Sequence, residues 1–82
     1  MNDTQPIALS FEGNYEFAKL TITFDIELTS KVLSTLRAFT DISFRVERLN
    51  DTMRQITLIS DEQLSAPLLN RIDSHFVHIY HM

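Results

Sequence analysis

Hydrophobic and polar residues alternate along several stretches of the chain, and the alternation changes period between them. From Pro6, the residues Ile7, Leu9 and Phe11 stand against Ala8 and Ser10, the period of a strand with one buried face. Glu12, Gly13 and Asn14 then form a turn signal, with the only glycine of the chain at its centre. Leu20, Ile22, Phe24 and Ile26 alternate with Thr21, Thr23 and Asp25, dense in β-branched residues, and predict a second strand. Leu28, Val32, Leu33, Leu36 and Phe39 follow the spacing of one helical stripe, so a helix is expected over about 28–39, with Asp25 or Thr29 as N-cap. Ile42, Phe44 and Val46 alternate again, and so do Arg54, Ile56 and Leu58, with Asn50 and Asp51 between them as a tight hairpin connection.

The last quarter holds a conflict between two start signals. Ser60-Asp61-Glu62-Gln63 has capping-box spacing, but a helix beginning there would carry Pro67 in its interior at a cost near 3 kcal/mol. Ser65 as N-cap, with Pro67 in the first turn, avoids that and predicts a short helix through Leu68, Leu69 and Ile72 to about Ser74. Val77 and Ile79 against His78 and Tyr80 then predict a final strand. Residues 1–5 are polar and expected to be disordered. The expectation for 6–82 is one α+β domain, a ferredoxin-like βαββαβ sandwich with an additional N-terminal β-strand at Ile7–Phe11. In that arrangement the early strand does not pair with Leu20–Ile26 as a simple hairpin. Its place is an outer edge, a partner, or the position of the C-terminal strand.

Composition narrows the function classes. At 82 residues the chain buries only roughly 60–65% of its unfolded surface, so a small domain of this kind gains from pairing with a copy of itself. The absence of cysteine excludes disulfides, thiolate zinc sites and thiol nucleophiles, and agrees with a cytoplasmic location. No apolar run approaches the ~20 residues of a membrane span, and the N-terminus has neither the basic start nor the apolar core of a signal peptide. A net charge of −4, with the basic residues scattered, argues against nucleic acid as a partner.

No catalytic constellation emerges from the residue types present. His75, His78 and His81 sit three apart, and on a strand His78 points away from the other two, so no metal site is expected. The serines lack a nucleophile-elbow setting, and Asp61-Glu62 is what a helix start favours electrostatically. A single glycine cannot build a phosphate-cradling loop. Phe24 and Phe44 fall on the apolar parity, where they pack the core instead of stacking on bases. The protein is therefore expected to be no enzyme and to need no cofactor. The open sheet face would carry Thr21, Thr23, Arg45, Thr57, Ile59, His78 and Tyr80 as an interface.

Three stretches give the chain a likeness to a known family. Leu20-Thr-Ile-Thr-Phe24 with Leu28-x-x-x-Val32-Leu33-x-x-Leu36 resembles a first strand and helix, and Ile42-Ser-Phe-Arg-Val46 resembles a second strand. Ile56-Thr-Leu-Ile-Ser-Asp-Glu-Gln-Leu64 with Leu68-Leu69-x-x-Ile72-Asp73 resembles a third strand and last helix. Together they resemble the ACT-domain family, most closely the small regulatory subunit of acetolactate synthase. The resemblance implies a non-catalytic regulatory or accessory subunit, a homodimer that docks on a larger biosynthetic enzyme. It also implies a ligand loop over Asp25, Ile26, Glu27, Leu28 and Thr29. Where the family places glycine before the branched residue of that loop, this chain has Glu27, whose carboxylate repels an amino-acid carboxylate. The alternative expectation is an acidic interaction module, inhibitor or antitoxin-like, with no small-molecule ligand.

Overall fold

The computed structural model describes residues 7–14 and 16–80, with Ile79 and Tyr80 described by backbone alone. The expected disorder of 1–5 and the position of His81 lie outside the described residues. The elements run β1 (Ile7–Gly13), β2 (Ala18–Asp25), a 3-10 turn over Ile26–Leu28, α1 (Thr29–Arg37), β3 (Glu47–Arg48), β4 (Met53–Ile59) and α2 (Ala66–Tyr80). The four strands form one antiparallel sheet in the order β1-β2-β4-β3.

The alternation seen in sequence becomes the two faces of this sheet. Ala18, Leu20, Ile22 and Phe24 are buried along β2 while Lys19, Thr21, Thr23 and Asp25 are half-exposed. On β4, Ile56 and Leu58 point the same way as the buried set. Val32 and Leu36 of α1 and Leu69, Ile72 and Phe76 of α2 close over that face in one apolar cluster. Both helices therefore cover the same side, and each fully buried Leu, Ile or Phe contributes roughly 1.5–3 kcal/mol. Every buried residue among those described is apolar.

Local chemistry explains the helix starts. The Asp25 carboxylate accepts the Glu27 N–H at 3.0 Å and so opens the 3-10 turn that leads into α1. Ser65 caps α2 as expected, its hydroxyl accepting the Leu68 N–H at 3.3 Å, with Pro67 tolerated in the first turn. Asp61 instead serves the connecting loop, accepting from the N–H groups of Gln63 and Leu64.

Three expectations are corrected. The segment 77–80 is not a strand, because α2 continues to Tyr80. Leu69, Ile72 and Phe76 extend one helical stripe at i, i+3 and i+7, all fully buried, and no Gly or Pro interrupts it. The early strand does pair with β2 as a hairpin, Ile7 opposite Phe24 and Gly13 opposite Ala18. The described elements thus run ββαββα, without the C-terminal strand of a βαββαβ order. Finally, Ile42–Val46 forms no ladder. Ile42, Phe44 and Val46 pack on the core while Ser43 and Arg45 are exposed, so the alternation there records burial of one side, and pairing begins only at Glu47.

Candidate functional site

The surfaces of the sheet that the helices leave uncovered include its open face and its β1 edge. The open face is built from the residues opposite in parity to the core. Ala8, Ser10 and Glu12 of β1 stand beside Thr23, Thr21 and Lys19 of β2, which stand beside Gln55, Thr57 and Ile59 of β4. The centre of this surface is small and uncharged, with Ile59 about half exposed at one end. Of the residues expected at an interface, Thr21, Thr23, Thr57 and Ile59 share this face. Arg45 does not join it by pairing, since it lies in the unpaired segment before β3, exposed and 3.9 Å from the Glu47 carboxylate. His78 and Tyr80 are on α2 instead of a strand, and His78 is exposed there.

The ladder between β1, β2 and β4 sets the direction of every backbone group at the edge. Ser60 N–H donates to the Ala18 carbonyl at 2.9 Å, and Ile26 N–H donates to the Thr52 carbonyl at 2.8 Å. Both ends of β2 thus turn their even-numbered residues toward β4, and antiparallel alternation turns Lys19, Thr21 and Thr23 toward β1. Their partners Glu12, Ser10 and Ala8 face inward. It follows that Ile7, Leu9, Phe11 and Gly13 direct their N–H and C=O groups out of the sheet. An outer edge is among the places the sequence allows for Ile7–Phe11, but the hairpin with β2 is not, although the Gly13-Asn14 turn between two alternating runs signals one.

On its helix side the edge borders a groove of about 420 Å³, lined by Phe11, Asn14, Ala66, Pro67, Asn70 and Arg71. Leu9 and Phe11 are only half-buried there. Glu12 is the one charged residue of β1, and the strand has no proline or lysine. Those are devices that commonly protect an edge from pairing.

The loop 25–29 is a compact turn. Its amides are engaged by the chain itself: Ile26 N–H goes to Thr52, Glu27 N–H to the Asp25 carboxylate, and Thr29 N–H to the Ile26 carbonyl. The Thr29 hydroxyl donates to the same Ile26 carbonyl at 2.7 Å. The Asp25 carboxylate stands where an anionic effector would meet the Glu27 amide.

His75 meets the Phe39 ring edge-on, with centroids 5.1 Å apart. No group of three His, Cys, Asp or Glu among the described residues is placed to hold a metal ion. Burial raises the Asp73 carboxyl above its ordinary value. Glu16, Asp61 and Glu62 line an acidic depression of about 450 Å³ with Ser60 and Ser65, and it shares Ala66 and Pro67 with the groove beside β1. Among the described residues, no helix is long and apolar enough to cross a membrane.

Compared with protein-family models, curated proteins and solved structures, the chain finds no match.

Proposed function

We propose that this protein is a non-catalytic accessory module that works by association, with a second copy of itself and, in that form, with a larger biosynthetic enzyme. The observation that carries this reading is the one-sided cover of the sheet. Two helices shield one face, while a small-residue face and a seven-residue edge strand face solvent. A domain of 82 residues has a thin core, and closing an exposed edge adds both hydrogen bonds and buried area.

The likeness to ACT domains is a likeness of fold. We take the architecture as ferredoxin-like with its strand order permuted. β2-α1-β3-β4-α2 supplies the first five elements of a βαββαβ order, and β1 fills the edge position beside β2 that a C-terminal strand would occupy. The ligand-sensing version is the weaker one, because the 25–29 turn already satisfies amides that an effector would need.

That observation favours a second reading, an acidic interaction module without a small ligand. The depression formed by Glu16, Asp61 and Glu62 suits docking against a basic surface. Identification of the protein captured from the native host separates the two, as a biosynthetic enzyme or as a basic target.

Sedimentation equilibrium tests the association common to the main reading. A mass that rises from one chain to two with concentration is the expected result. A single-chain mass at every concentration removes the self-associating module.

A further inference from the structure

We propose that the β1 edge is the self-association surface, pairing antiparallel with β1 of a second copy so that Ser10 lies on the two-fold axis. This rests on the reading of the protein as a self-associating module, and it specifies the surface and the register.

The register follows from which backbone groups point outward. Only Ile7, Leu9, Phe11 and Gly13 present free-edge donors and acceptors, so hydrogen-bonded pairs must join odd-numbered residues to odd-numbered residues. Placing Ser10 opposite Ser10 of the second copy sets Leu9 opposite Phe11 and Ile7 opposite Gly13. All four outward residues then find partners. Within Ile7–Gly13, a two-fold at Leu9 gives Gly13 no counterpart, one at Phe11 gives Ile7 none, and one at Glu12 sets two carboxylates against each other.

Charge and shape favour the same occupant. With Ser10 on the axis, the one charged residue of the strand, Glu12, faces the small, exposed Ala8 of the second copy. On the helix side, Leu9 of the second copy stands opposite Phe11, at the mouth of the groove lined by Phe11, Ala66, Pro67 and Asn70. Two half-buried apolar residues on each chain thereby cover each other. The two four-stranded sheets join into one continuous sheet whose open face runs across both copies.

The absence of native cysteine makes the test direct. Ser10 becomes a non-hydrogen-bonded pair across the axis, with Cα atoms about 4.5 Å apart, within the usual disulfide range of about 4.4–6.8 Å. Ser10→Cys is expected to convert almost wholly to a disulfide-linked dimer under mild oxidation. Ala8→Cys should stay monomeric on a non-reducing gel, because its counterpart lies four residues along the strand, about 13 Å away. Both positions are exposed, so the single-chain fold tolerates either change.

Charge gives a second readout. Ala8→Glu places like charges opposite each other twice in the dimer and should weaken association roughly 2- to 30-fold, whereas Ala8→Lys should strengthen it. A wild-type dimer in which Ser10→Cys fails to cross-link, or in which the two Ala8 variants leave the dissociation constant unchanged, overturns the edge register while self-association stands. A wild type that is monomeric throughout overturns both.

Discussion

Phe76→Ala is expected to remove roughly 3–5 kcal/mol of stability, the upper range for a core truncation. Phe76 is fully buried on α2 and completes the stripe begun by Leu69 and Ile72. A domain of 82 residues has about 4–12 kcal/mol in total, so the variant should lose much of its folded population. In urea, with a slope of about 1 kcal/mol/M, the midpoint should fall by roughly 3 M or more. The neighbouring Val77 supplies the contrast. It is 40% exposed on the helix, and Val77→Ala should change stability by no more than about 0.5 kcal/mol. A C-terminal strand would exchange these roles, burying Val77 and exposing Phe76, so the pair of midpoints separates helix from strand at 76–80. All are compared at one protein concentration, because association contributes to apparent stability.

Gly13→Ala is expected to be the most damaging change at the surface. Gly13 ends β1 with φ at +120°, a conformation L-residues rarely adopt. A Cβ there would run into the Phe17 carbonyl and the Ala18 Cα, which are backbone atoms at the end of the turn and the start of the facing strand and cannot swing away. The hairpin must open to make room, and a loss of about 3 kcal/mol is expected. Because the strain falls on the β1–β2 turn, the amides of β1 should lose hydrogen-exchange protection before those of β4. No loss, or a gain of about 0.4–1 kcal/mol as at a compatible Gly→Ala site, would mean that the turn is not built as described.

How much of this was legible in the chain depends on whether the signal was local. The β-branched alternation of Leu20–Ile26 yields β2, the helical stripe from Leu28 yields α1, and Ser65 with Pro67 marks the start of α2. Each rests on contacts within a few residues. Four alternating residues at 77–80 fit a strand and the tail of a helix equally well, and only the burial of Phe76 decides between them. Ile42–Val46 shows the converse limit: its alternation is real as burial, yet pairing depends on where β4 runs.

The site shows the same division. Thr21, Thr23, Thr57 and Ile59 share the open face because strand parity alone places them there. His78 and Tyr80 were drawn onto that face by the strand expected at the C-terminus, and α2 takes them away. Asp25 and Glu27 lie where the helix start puts them, but the hydrogen bond that closes the Glu27 amide is a matter of geometry. The outward direction of Leu9 and Phe11 could not be read from spacing, since it follows from which neighbour β2 bonds on each side.

The measurement that bears most directly on the central claim is amide hydrogen exchange along β1 at two protein concentrations. Ser10 bonds inward to β2 and should be protected at both. Leu9 and Phe11 point outward and should exchange quickly in dilute protein and slow markedly when it is concentrated. Exchange at Leu9 and Phe11 that stays as fast as in the exposed loops at every concentration would contradict the account.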